Sequence, residues 1–302
     1  MNPSTPDRRR RTGMTLVELV IVISIIGVLF TLFVPAIQRS REAARRAHCQ
    51  NNLRQLGVGL LNYHDTHNTL PSGWTGVAEG RPAALAGPGW GWACQVLPQL
   101  DNLAVVTMIR FDQSIMSVSN QQVRTLDISV FRCPSGRSDP TWLISGAELS
   151  GLSIASSNYV GAFGSQGWDD TAARRVGRTL VGDGVFFHNS STKFSDIADG
   201  LSNTVLVGER AGEVGRNLPS TWVGVVPGLD NAVARVVGTG ETVPGTWSRP
   251  GRGFDSGHVA AVGAGAHFIF GDGRVEFVSD RITAAVFRAL MSRSGGELTP
   301  GY

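Results

Sequence analysis

The chain has 302 residues, a formal net charge of only +3, and 17% charged residues. That length is ample for a buried core and allows one large or two modest domains. The small positive excess lies around one apolar segment near the N-terminus, so no nucleic-acid surface is expected.

The first element is a short basic stretch followed by a long apolar run. Arg8-Arg9-Arg10-Arg11-Thr12-Gly13 precede Met14-Thr15-Leu16-Val17-Glu18, and no side chain from Leu19 to Ile37 is charged. As a helix, residues 14–37 extend roughly 36 Å at about 1.5 Å per residue, enough to cross a bilayer core of about 30 Å. A carboxylate near the start of such a helix is costly in hydrocarbon, so Glu18 calls for a partner. Pro35 closes the apolar run and predicts a kink there. Two other readings compete: a secretory signal peptide cleaved near Val34-Pro35-Ala36, and a plain signal anchor with no assembly role.

The arrangement resembles the type IV prepilin signature, in which a basic leader ends in Gly and is followed by T-L-x-E-L and a membrane-length apolar helix. The usual Phe after the cut is Met14 here. The resemblance implies cleavage after Gly13 by a prepilin peptidase and N-methylation of Met14. It also implies that Glu18 pairs with the N-terminal amine of a neighbouring copy or another pilin-like subunit. Charge alone does not orient the segment. Arg8 to Arg11 with Asp7 give +3 before it, and Arg39, Arg41, Arg45 and Arg46 with Glu42 give +3 after it. The prepilin likeness implies a single-pass protein of the inner (cytoplasmic) membrane, its N-terminus cytoplasmic and its head exported to the periplasm or cell surface.

Beyond Ala36 the helix is predicted to continue to about Tyr63, with Cys49, Leu53, Leu56, Leu60 and Tyr63 on one face against the head. Residues 39–46 are too polar for a core and are placed at the membrane surface, where Arg meets lipid phosphate. The organisation expected is therefore a basic leader (1–13), a transmembrane part (14–37), an amphipathic continuation (38–68) and a β-rich globular head (69–302). The fold class expected is α+β, pilin-like, with the long N-terminal helix packed on an antiparallel β-rich head. The 38 Gly and seven Trp residues at low charge favour a turn-rich β head.

His64 and His67, three apart at the helix end beside Asp65, could share a metal or form an ordinary polar helix end. Residues 75–91 read as an irregular loop, 92–109 as a helix, 126–134 as a strand, and 158–164 as a strand entering a turn. Asp199-Gly200 and Ser202-Asn203 are turn pairs before an alternating strand at Val205 to Glu209. Residues 211–250 read as a variable loop region. Asp272-Gly273 between His267-Phe268-Ile269-Phe270 and Val275-Glu276-Phe277-Val278 predicts a β-hairpin, and a last helix follows over about 282–291. Three Cys is an odd count: in an exported head Cys94 and Cys133 can pair, and three free buried thiols are the alternative.

These segments together look like a large family of prepilin-like proteins of unknown function, with a pilin-type helix and a long β-rich head. The matching residues run from Cys49-Gln50-Asn51-Asn52-Leu53 through Phe131-Arg132-Cys133-Pro134-Ser135 and Asp196 to Gly200, to Gly208-Glu209. A C-terminal His-to-Asp-Gly signature falls on His258, Asp272 and Gly273. Thirteen residues separate His258 from Asp272, longer than the family's usual spacing, through an insertion at Val262-Gly263-Ala264-Gly265. The family implies no established catalytic residues, and none are assigned.

No G-x-S-x-G elbow, H-E-x-x-H or paired C-x-x-C occurs, so an enzyme is not expected. The expected function is a membrane-anchored, pilin-like or pseudopilin-like structural subunit of a secretion or pilus-type assembly. The competing reading is an anchored binding or adhesion module that stacks sugars on Trp74 or Trp90. No cofactor is expected; Ca²⁺ held by loop carboxylates such as Asp272 and Asp280 is a second metal reading, beside the His64 and His67 pair.

Overall fold

A computed structural model describes residues 14–136, 138–144, 149, 151–210, 219–244 and 265–296. Two compact units are present, Met1–Ala44 and Arg45–Tyr302. One helix, α1 (Leu16–His67, 52 residues), runs through the boundary between them and continues past Pro35 without a break.

In the first unit every described side chain up to Arg41 is exposed. The apolar stretch has a mean hydropathy of 2.8 over an 18-residue window, none of it buried, and the helix is long and apolar enough to cross a membrane. In the second unit the helix changes character. Cys49, Leu53, Leu56 and Leu60 are fully buried, and Tyr63 packs at the edge of the same core, as the four-and-three spacing predicts.

The rest of the second unit is β-rich. A small sheet forms from β1 (Trp74–Ala78), β2 (Arg81–Pro82) and β3 (Pro88–Gly91), in the order β2-β1-β3. This replaces the loop expected over 75–91. Gly76 permits it: a Cβ there would lie 2.3 Å from the Ala83 carbonyl oxygen. The helix expected over 92–109 is three short pieces: α2 (Trp92–Gln95), a 3-10 turn at Leu97–Leu100, and α3 (Leu103–Met108). Pro98 lies inside the 3-10 turn, and Asp101 adopts a left-handed conformation (φ 57°) that ends it.

After α4 (Gln121–Arg124), residues 126–134 form a 3-10 turn at Ser129–Phe131 and a loop, not the expected strand. Side-chain amides serve this backbone in place of a partner strand. Asn52 Nδ2 donates to the Arg132 carbonyl (2.7 Å) and the Ser129 carbonyl (3.3 Å), and Asn158 Oδ1 accepts from the Cys133 N–H (3.0 Å). A two-stranded ribbon, β4 (Thr141–Leu143) with β5 (Ser153–Ala155), follows.

The main sheet has five strands. They are β6 (Tyr159–Gly164), β7 (Val205–Glu209), β8 (Val237–Thr239), β9 (Gly265–Phe270) and β10 (Val275–Ser279), ordered β10-β9-β7-β6-β8. The β6–β8 pair is parallel and the others antiparallel. A one-turn α5 (Asp170–Ala173) lies between β6 and β7 in the chain. Both faces of the sheet are covered, which explains apolar runs such as Phe268-Ile269-Phe270. Val160, Ala162, Phe268 and Phe270 point to one side and pack with Phe287, Leu290 and Met291 of α6 (Ala284–Met291). Tyr159, Phe163 and Ile269 point to the other and join the core containing Cys49, Leu53 and Leu56.

Cysteine pairing differs from the expectation. Cys49 of α1 forms the disulfide with Cys133, across 84 residues, while Cys94 is free and buried. Cys94 Sγ instead faces the Val223 carbonyl at 3.0 Å, and burial pushes its thiol well above the ordinary range. The buried face of α1 carries Cys49 to the Cys133 loop, so the helix residue, not Cys94, is the neighbour.

Candidate functional site

The N-terminal site starts from the chemistry of a helix start. Thr15 and Glu18 are the N-cap and third residues of α1, the T-x-x-E spacing of a capping box. The Glu18 N–H donates to Thr15 Oγ1 (3.3 Å). Glu18 Oε2 accepts from the Thr15 N–H (2.8 Å) and the Thr15 hydroxyl (2.9 Å). Both bonds use one oxygen, and among the described residues Oε1 has no hydrogen-bond partner. Met14 is exposed beside this box, and Gly13 lies outside the described residues.

The C-terminal signature resolves into a turn. His258 lies outside the described residues. Asp272 and Gly273 occupy the β9–β10 hairpin loop, where Asp272 Oδ1 accepts the Arg274 N–H at 3.1 Å and its other oxygen lies 3.6 Å from Arg274 Nε. Gly273 is left-handed (φ 84°), and a Cβ on it would meet Leu61 of α1 at 2.8 Å. The residue pair shapes a turn that seats on α1. The Asp280 carboxylate is taken by the Ser279 hydroxyl at 3.2 Å.

Other expected sites are also structural. His64 stacks on Phe194 (3.6 Å between ring centroids) and accepts its N–H, while His67 stacks on Tyr63 and lies 3.0 Å from its carbonyl. The two rings turn to different neighbours instead of sharing a metal. Trp74 and Trp90 are about 1% exposed or less, with their indole N–H groups on the Ala84 and Gln113 carbonyls, so neither is a stacking platform.

One polar cluster in the head brings together Glu209, one of the family-matching residues, and His267, a pairing that the sequence does not announce. Glu209 ends β7 and His267 lies on the adjacent β9, both facing α1. Glu209 is 1% exposed and His267 6%. Glu209 Oε2 accepts the His267 backbone N–H (3.0 Å) and lies 2.8 Å from its Nδ1. His267 Nε2 is 2.7 Å from Gln50 Nε2, an amide nitrogen that can only donate, so Nδ1 is assigned the ring proton that faces Glu209. Glu209 Oε1 is buried without a hydrogen-bond partner. Ligand atoms of Cys49, Cys133 and Glu209 all lie within 4.8 Å of one another. Tyr159 flanks the group, its hydroxyl donating to the Cys49 carbonyl (3.1 Å); burial first, and the Glu209 charge second, push its phenol well above the ordinary value. The available signal was one polar residue at an end of each apolar run, Glu209 after Val205-Leu206-Val207-Gly208 and His267 before Phe268-Ile269-Phe270.

Elsewhere a surface cleft of about 510 Å³ has a floor including Trp168 and Leu229 and a rim of Asp170, Arg174, Asp230 and Asn231.

Comparison with known proteins finds two family matches along the chain. The prokaryotic N-terminal methylation motif matches residues 8–34, the mark of prepilin-type processing and of a membrane-anchored, single-pass protein. Neither matched family describes an enzyme. No curated protein and no solved structure is detectably similar to the chain. Over residues 38–285 the chain matches, and so belongs to, the family described as proteins of unknown function (DUF1559).

Proposed function

We propose that the protein is a pilin-like structural subunit of a secretion or pilus-type assembly. Prepilin peptidase cleaves after Gly13, and Met14 becomes the methylated N-terminus. The apolar part of α1 sits in the inner membrane, with the N-terminus cytoplasmic and the head exported. Arg39, Arg41, Arg45 and Arg46 then lie at lipid phosphate level.

The observation that carries this reading is Glu18. Its capping bonds occupy one oxygen and leave Oε1 open on an exposed apolar helix. In hydrocarbon that acceptor needs a donor, and the N-terminal amine of an adjacent subunit supplies one. Intact-mass analysis and N-terminal sequencing of the mature protein test the reading. A methylated Met14 is the expected result; a start near Ile37 would make the segment an ordinary signal peptide.

A second reading, an anchored binding module, draws support from the cleft rimmed by Asp170, Arg174, Asp230 and Asn231. Glycan-array binding by the full chain, lost in Asp230→Ala, would favour it.

A further inference from the structure

We propose that the Cys49–Cys133–Glu209 cluster is a redox-gated site for a thiophilic divalent cation such as Zn²⁺, closed by the disulfide and opened when it is reduced. The starting point is Glu209. A carboxylate this buried needs compensation. Its Oε2 is held by the His267 backbone N–H and Nδ1, and among the described residues no Arg or Lys reaches Glu209. Its Oε1 is left without a hydrogen-bond partner. That residue shares a 4.8 Å neighbourhood with both sulfurs.

The donor set suits the metal. Two thiolates and one carboxylate give three protein ligands and leave the fourth position to a water. Bonds of about 2.3 Å to sulfur and about 2.0–2.2 Å to oxygen set tetrahedral ligand atoms about 3.4–3.8 Å apart. The observed spread reaches that with the sulfurs parting and Glu209 moving inward. His267 Nδ1–H on Oε2 would hold the carboxylate in place, leaving Oε1 for the metal, as a partner to a ligand does.

The chemistry balances with a dithiol as reductant. Its two thiols become a disulfide, and two electrons and two protons pass to the Cys49–Cys133 bond, which opens to two thiols. Zn²⁺ then displaces both thiol protons, its two charges offset the two thiolates, and the Glu209 carboxylate gains a metal bond at its unpartnered oxygen while the net charge of the site stays at −1. The staple between α1 and the Cys133 loop is thereby exchanged for a metal link between the same two residues.

The test uses the full chain in detergent micelles with Co²⁺ as the spectroscopic probe. The protein is reduced with a phosphine, freed of reductant, and titrated alongside an oxidised sample. One Co²⁺ per reduced chain, with a thiolate-to-cobalt charge-transfer band that Zn²⁺ abolishes and that the oxidised sample lacks, is the expected result. Glu209→Gln and Cys133→Ser should each weaken binding at least about 10-fold, with near-ultraviolet circular dichroism of oxidised Glu209→Gln checking its fold. A reduced chain without the band overturns the proposal. So does binding of unchanged affinity in Glu209→Gln, which would reflect thiols of a loosened chain acting alone.

Discussion

Thr15 and Glu18 hold each other at the start of α1: the Thr15 hydroxyl accepts the Glu18 N–H, and Glu18 Oε2 takes the Thr15 N–H at 2.8 Å. Glu18 thus has a local task in addition to the one proposed for it between subunits, and the two can be separated.

Thr15→Ala removes the cap and keeps the carboxylate. Capping losses are typically about 0.5–2 kcal/mol. Thr15→Ala should therefore fray the first turn yet leave assembly measurable by pull-down of tagged subunits. Glu18→Ala should insert into membranes normally and fail to assemble. Equal assembly by both variants would reduce Glu18 to a cap.

The Cys49–Cys133 bond closes a loop of more than eighty residues. Losing a native disulfide typically costs about 2–5 kcal/mol. Cys49→Ser or Cys133→Ser should lower the denaturant midpoint accordingly and abolish the mobility difference between reduced and non-reduced gels. Cys94→Ser should leave that gel difference intact, since Cys94 takes no part in the bond.

His188 predicts an acid-side loss of stability. The ring is buried between the Gly76 carbonyl (2.9 Å) and the Leu180 N–H (3.3 Å). Burial lowers its pKa below 6.5, with the Gly76 hydrogen bond opposing. The unfolded chain therefore binds the proton first, so this contribution is complete above about pH 6.5 and is lost as pH falls toward the folded value. The slope from one group is at most about 1.4 kcal/mol per pH unit. Chemical denaturation at about pH 7.5 and pH 5 should show the wild type losing stability, and His188→Gln losing less between the same two pH values.

The Asp272-Gly273 signature should behave as a turn. Gly273→Ala places an L side chain at φ 84° and against Leu61, at a cost of about 1–2 kcal/mol from backbone conformation alone. Asp272→Ala loses only the partly exposed contacts to Arg274 and should shift thermal stability less. A larger effect for Asp272 would give the carboxylate a role beyond the hairpin.

Legibility in the sequence followed locality. The apolar half of α1, the buried stripe from Cys49 to Leu60, the strand from Tyr159, the hairpin at Asp272-Gly273 and the last helix each rest on spacing or turn chemistry within a few residues. The misread segments depend on distant partners. Residues 126–134 have strand-like composition, but Asn52 and Asn158 take their backbone groups, and no local pattern announces that. The disulfide is the same case: Cys133 lies as near in sequence to Cys94 as a plausible pair should, yet helix packing brings Cys49. Glu209 and His267 are meaningful only once β7 and β9 are neighbours.

The position of Cys49 also orders how the head would bear load. Tension entering the second unit along α1 meets the covalent link at Cys49 before it reaches Leu53, Leu56 and Leu60. The pull is diverted into the Cys133 loop, which Asn158 ties to β6. The noncovalent stripe beyond it is spared peeling from its upstream end, and the segment between Cys49 and Cys133 lies outside the direct path of the pull.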